Sequence, residues 1–239
     1  MLITELNSRK IFKHSHEINF ARHSLSALSL DIFYTIISQI KNEDNELNEY
    51  VIDIKDLEKK MKSEDYSKRL YRGNLSKAAD ELMSQKVKIM SGDNYIQFHW
   101  FDKAVVNEKE HFIHLRLNQD LKEHLLNLEK YVKGDLKSFL SLKSKYSKRI
   151  YTIACQYLKM KKVTLNLSEL QDILELSDSI KSKYSNFKDR VLKQAIKEIN
   201  ESSDINISYK EIKTGRAVTK IEFIVSKKSK NVIEAEIIE

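Results

Sequence analysis

Leu75-Ser76-Lys77-Ala78-Ala79-Asp80-Glu81-Leu82 returns 117 residues later as Leu192-Lys193-Gln194-Ala195-Ile196-Lys197-Glu198-Ile199. In both stretches the apolar residues hold the first, fourth, fifth and eighth places, which line one face of a helix, and an acid holds the seventh. Two more blocks repeat in the same order. Tyr34-Thr35-Ile36-Ile37-Ser38-Gln39 matches Tyr151-Thr152-Ile153-Ala154-Cys155-Gln156 at an offset of 117, and Ile52-Asp53-Ile54-Lys55-Asp56-Leu57 matches Leu165-Asn166-Leu167-Ser168-Glu169-Leu170 at 113. Three ordered blocks at nearly constant offset read as a tandem duplication of one unit of about 110 residues.

Each copy has one rhythm. A helix (Ser26 to Ile40; Ser144 to Lys159) leads to a short β-branched stretch (Tyr50 to Ile52; Val163 to Leu165) and a short capped helix (Ile54 to Met61; Leu167 to Glu175). A long helix follows (Tyr66 to Gln85; Tyr184 to Glu201), then two strands: Lys86 to Met90 with Tyr95 to Phe101, and Ile205 to Ile212 with Ala217 to Val225. Gly92-Asp93-Asn94 and Thr214-Gly215 suit the turns between them. Helix, strand, helix, helix, hairpin is the winged-helix plan. The expected fold class is α+β, two winged-helix domains over 1–118 and 119–239, with an extra strand at His111 to Leu117 and a helix at Asn118 to Leu128 opening the second.

The 239 residues suffice for two such units, and 41% hydrophobic residues can fill their cores. No apolar run approaches the roughly 18 to 20 residues of a spanning helix, no signal pattern opens the chain, and the lone Cys155 has no disulfide partner, so a cytoplasmic protein is expected. Four Gly and no Pro leave neither G-x-x-x-x-G-K-[ST] nor G-x-G-x-x-G, which excludes the nucleotide-binding classes built on those loops. The net charge of +7 is unevenly spread. Residues 1–118 hold 18 basic and 18 acidic side chains, against 24 and 17 in 119–239. A basic unit beside a neutral one suggests a polyanion reader with a companion module.

At 100° per residue from Phe187, the second long helix puts Val191, Ala195, Ile199, Leu192 and Ile196 on one side. Asn186, Arg190, Lys193, Gln194 and Lys197 fall on the other, a set that can enter a major groove, where Arg reads guanine and Asn or Gln reads adenine. Lys181, Lys183, Lys210, Lys213, Arg216 and Lys220 flank that helix in loop and hairpin, where a winged helix touches phosphates. Without those neighbours the stripe would be an ordinary solvated face. Lys148 and Arg149, behind Tyr146 at the start of the helix before the second strand, are further phosphate candidates, as are Arg69 and Arg72 on the first long helix.

Lys143-Ser144-Lys145-Tyr146-Ser147-Lys148-Arg149-Ile150-Tyr151, then Tyr184, Phe187, Arg190-Val191-Leu192, Ala195 and Glu198-Ile199-Asn200, and then Gly215-Arg216-x-Val218 before Ile221-x-Phe223 resemble the iteron-binding initiators of theta-replicating plasmids. His23-Ser24-Leu25 through Ile40 is similar to that family's first helix, and the likeness runs from about Ile18 to Ser226. The resemblance implies double-stranded DNA with directly repeated origin sites as partner, read by the C-terminal domain, with backbone contacts and dimerisation in the N-terminal one. It also implies origin opening by monomers, repression of the chain's own promoter by dimers, and recruitment of a host initiator and helicase, with no cofactor.

Three other readings compete. A nicking initiator needs a His-hydrophobic-His metal pair and a nucleophilic Tyr, and only His14-Ser15-His16 has the spacing, with Ser at the apolar place. His111 and His114, three apart on a strand, point to opposite faces. Cys155 takes the place of Ser38 in the repeat and reads as packing, so no catalytic residue and no metal site are expected. A transcriptional regulator would use the same winged helices, and a general chromosome binder could manage with Lys alone, without the Arg, Asn and Gln of the stripe.

Overall fold

Residues 11–55, 74–107 and 109–229 are described in the computed structural model of the chain. The first copy opens with β1 (Ile11–His14), α1 (His16–Phe20) and α2 (Ala27–Ile37), followed by β2 (Glu49–Asp53). Then come α3 (Asn74–Ser84) and four strands, β3 (Lys86–Ser91), β4 (Asn94–His99), β5 (Phe101–Asn107) and β6 (Phe112–Leu117). Most of the expected helix at Ile54 to Met61 and the front of the first long helix, with Arg69 and Arg72, lie outside the described residues.

In place of the helix expected from Asn118 to Leu128 there is a 3-10 turn, Gln119–Leu121, and the single turn α4 (Lys122–Leu125). After β7 (Val132–Asp135) and α5 (Leu136–Ser141) the second copy follows as α6 (Lys145–Gln156), β8 (Lys162–Asn166), α7 (Leu167–Ile173) and α8 (Asp178–Lys181). The second long helix runs through α9 (Tyr184–Phe187), a π-helical turn (Lys188–Leu192) and α10 (Lys193–Ser202). The long hairpin β9 (Ile205–Thr214) and β10 (Ala217–Lys227) completes it.

The two copies share a sheet topology that corrects one expectation. The second copy has the antiparallel order β8-β10-β9, and the first has β2-β6-β5. In both, the strand after the equivalent helix (α2 or α6) lies beside the last strand, which pairs with the one before it. The wing of the first copy is therefore β5–β6, and the strand expected as an extra is its centre. The expected closing hairpin, β3–β4, is a separate two-stranded sheet inserted between long helix and wing. The expected strand Tyr95 to Phe101 breaks at Trp100, because Trp100 and Phe101 are both buried and adjacent residues of one unbroken strand face opposite ways. Gly92 and Gly215 occupy the hairpin turns at φ +60 and +61, the left-handed region where a side chain is disfavoured.

The acid of the repeated block has the same task in both copies. Glu81 accepts from Ser26 N at 2.8 Å and from the Ser29 hydroxyl, while Glu198 accepts from Lys143 N and the Ser147 hydroxyl. They thus close the N-termini of α2 and α6, the equivalent helices of the two copies, where backbone N–H groups lack intrahelical partners. Ser26 and Ser144 cap the same two ends through their own hydroxyls.

One hydrophobic core runs through both copies. β1 pairs antiparallel with β7, setting Phe12 opposite Gly134, and the Phe12 ring packs edge-on against Tyr34 at 4.6 Å and Phe139 at 5.5 Å. A methyl group on Gly134 would overlap that ring, so the close approach of the two strands requires glycine.

Candidate nucleic-acid interface

Two ties hold the second long helix on its wing. Asn200 bonds Ile207 of β9 as a neighbouring strand would, accepting from its N at 2.7 Å and donating to its O at 2.9 Å. Toward the other end, Lys188 pairs with Glu211 of β9 at 2.7 Å, and the ammonium holds the Glu211 carboxyl below its ordinary pKa. Lys228 closes the helix C-terminus by donating to the carbonyls of Asn200 and Ser203 at 2.5 and 2.7 Å. The N-terminal half of the helix therefore lies toward the wing tip, and its C-terminal half toward the base.

Phe187, Val191, Leu192, Ala195 and Ile199 are buried, as expected, and Ile196 lies partly buried at the edge of that face. On the other side Arg190 and Gln194 are exposed, with no hydrogen bond or ion pair among the described residues. The remaining members of the stripe are engaged within the chain. Lys193 pairs with Asp189 at 2.8 Å and Lys197 with Glu201 at 3.9 Å. Asn186 is half-buried and donates to the Ser179 carbonyl at 2.9 Å. Arg190 and Gln194 are thus the members of the stripe whose exposed side chains hold no partner among the described residues.

The wing projects beyond its sheet. β8 pairs with β10 only over Lys220 to Ile224, so the tip from Lys213 through Arg216 to Val218 is a two-stranded ribbon. Lys213 and Arg216 are exposed there, as are Lys210 and Lys220 lower down. Lys183 is exposed immediately before α9, whereas Lys181 is bound to Asp172 at 2.7 Å, a carboxylate that also takes Arg22 at 3.2 Å.

Lys148 and Arg149 are not phosphate contacts, which corrects the expectation for both. Lys148 is wholly buried, its ammonium 2.5 Å from Asp31 of α2, 2.8 Å from the Phe139 carbonyl and 4.6 Å from the Phe139 ring centre. Arg149 is buried too, donating to the Ala21 carbonyl at 2.7 Å, and desolvation lowers its pKa. Beside them Asn19 donates to the Thr152 carbonyl and to Gln156 at 3.2 and 2.7 Å. These residues fasten the copies together. The acid set among apolar residues in Leu30-Asp31-Ile32-Phe33 is the signal in the sequence, and its pairing with Lys148 is visible only in the structure. Lys188 and Glu211 carried no such mark.

His14, the first member of the His14-Ser15-His16 motif, is enclosed. Its Nδ1–H donates to the Ser15 carbonyl at 2.9 Å and its Nε2 accepts from the Tyr34 hydroxyl at 3.3 Å, while burial lowers its pKa to about 4. Burial also pushes the Cys155 thiol up to about 12. Among the described residues no helix is long and apolar enough to cross a membrane.

Comparison with known proteins agrees with this architecture. The family model described as "Initiator Replication protein, WH1" matches residues 11–155, and the one described as "Initiator Rep protein, WH2" matches 166–225. A replication initiation protein of Escherichia coli is 27% identical over 142 residues, in a match that covers 56% of this chain but only 44% of that relative's length. The crystal structure of Pi initiator protein in complex with iteron DNA superposes with a TM-score of 0.77 over 93% of this chain and 100% of its own, at 19% identity, a likeness of fold.

Proposed function

The chain belongs to the initiator replication protein family, and from that premise we propose that it is a plasmid replication initiator that binds directly repeated double-stranded sites at an origin. The observation that carries the proposal is the exposed, unpaired Arg190 and Gln194 on a helix pinned beside a basic wing. Arg is the residue that reads guanine bidentately and Gln one that reads adenine, and Lys213 and Arg216 at the wing tip suit phosphates. The Pi initiator, of the same fold, is found on iteron DNA.

In this reading residues 119–239 read sequence, and residues 1–118 contact backbone on the adjoining turn and form dimers. Two winged helices on one face of a duplex span roughly 20 base pairs, from about 10.5 per turn. The inserted β3–β4 hairpin favours the dimer role, because Tyr95 and Ile96 are 51% and 59% exposed on it. Monomers bound to the repeats help open the origin and recruit host initiator and helicase, and dimers repress the chain's own promoter. The proposal includes no catalytic step.

Selection of bound duplexes from a randomised pool tests it. The expected winner is a consensus near 20 base pairs that occurs as tandem copies beside an A·T-rich stretch on the source replicon. A palindrome found only at promoters would make the chain a regulator. Absence of any consensus would remove the helix as a reading head.

A further inference from the structure

The second long helix is not a plain α-helix, and its irregular turn lies where the candidate base-reading residues are. Apolar or core-facing residues recur every four places, at Phe187, Val191, Ala195, Ile199 and Ser203, and all five are buried. In an unbroken α-helix a step of four residues advances about 40°, so this seam would drift by about 160° and leave the core at one end. A π-turn takes up about one extra residue, near 100°, and reduces that drift to about 60°. The turn at Lys188–Leu192 thus keeps both ends of the helix on one core.

The same rotation acts on the opposite side. Asn186, Arg190 and Gln194 are also four apart, and a straight α-helix would fan Asn186 and Gln194 about 80° from each other. With the π-turn between them the difference falls to about 20°, so the three form a column along the helix axis. Arg190 and Gln194 then stand about 6 Å apart along the axis, close to two base-pair steps of about 3.4 Å. Lys188 opens the π-turn, and Glu211 of β9 holds it from the wing at 2.7 Å.

We propose that this π-turn is the specificity-determining feature of the helix, setting Arg190 and Gln194 in line to read base pairs two steps apart, and that Glu211 is a positioning residue acting through Lys188. The inference rests on the DNA-reading assignment above and adds to it a geometric cause for base choice.

The test uses the full chain as wild type, Arg190→Ala, Gln194→Ala, Lys188→Glu, Glu211→Lys and the double variant Lys188→Glu/Glu211→Lys. Circular dichroism and thermal unfolding check each fold. Each protein goes through duplex selection, and its affinity for the selected duplex is divided by that for a scrambled one, which cancels the change in net charge. Arg190→Ala and Gln194→Ala are expected to relax preference at positions two base pairs apart. Each single charge reversal is expected to lower the ratio about tenfold, and the double reversal to bring it back within about threefold of wild type. A wild-type chain with no consensus overturns the DNA-reading assignment itself. A wild-type consensus with unaltered ratios in the single reversals, or with no recovery in the double, overturns the positioning role of Glu211 alone. Relaxed positions that are not two steps apart overturn the column.

Discussion

Lys148 and Asp31 are two charges taken wholly out of water in the middle of the molecule. Breaking such a pair strands one charge, so Lys148→Ala is expected to reduce the unfolding free energy by about 3 to 5 kcal/mol, measured by urea denaturation, while Lys148→Met/Asp31→Leu recovers much of the loss. His14 makes a prediction of different sign and origin. Its folded pKa, near 4, lies below the ordinary histidine value of 6.5, so as pH falls the unfolded chain takes the proton first and stability drops. Between pH 7 and 5 the loss is about 2 kcal/mol, in a window above most carboxylates. Denaturation curves at the two pH values should show the loss in wild type and a smaller one in His14→Gln. His23, whose pKa burial also lowers well below its ordinary value, acts in the same direction. At this scale sequence displays charge but not surroundings. Lys148 and Arg190 are both basic residues on amphipathic helices, and only packing tells a sealed ion pair from an exposed side chain.

Among the elements, strand β7 shows how little of a short strand is legible. Val132-Lys133-Gly134-Asp135 has the look of a turn, since Gly-Asp is a turn pair and four residues are too few to establish alternation. What makes it a strand is the distant β1, with Phe12 seated against Gly134. Gly134→Ala is expected to cost about 1 to 3 kcal/mol by overpacking, measured by thermal or chemical unfolding, and Phe12→Leu in the same chain should relieve part of it. The wing was far easier to foresee. Thr214-Gly215 between two alternating runs marks a tight hairpin, and the structure has its turn there, with Gly215 at positive φ. The first copy's wing is hard to read in the sequence because Tyr95 to Phe101 alternates until Trp100-Phe101, and because an inserted hairpin looks locally like the hairpin it precedes. The π-turn was hidden for a related reason, since a wheel drawn at constant pitch merely spreads the apolar residues over a wider face. Lys213 belongs to the wing and touches no base edge in this reading, so Lys213→Ala should weaken cognate and scrambled duplexes alike and make the salt slope shallower by about 1. A changed consensus would show that the wing reads a groove.

For the whole molecule, the duplication was legible because repetition survives in the order of blocks even where few residues are identical, and the same sheet order in both copies reflects it. Their shared core was not, since nothing along a chain reports which of its apolar faces meet. If, as proposed, both copies engage one duplex together and neutralise about 6 to 10 phosphates, log K against log salt should have a slope of about −5 to −9. A slope of half that would mean that one copy binds at a time. The β1–β7 ladder also bears on how the protein is made. Ile11 has to wait for Asp135, its partner in the ladder, and at about 5 to 20 residues per second of translation that wait is roughly 6 to 25 seconds. Through it the nascent N-terminal copy has Phe12 with no Gly134 to rest on, and the Lys148 that pairs with Asp31 is not yet made. A protein built this way completes its fold late in its own synthesis, and a ribosome that stalls near residue 118 leaves an unfinished fold in place of a finished half.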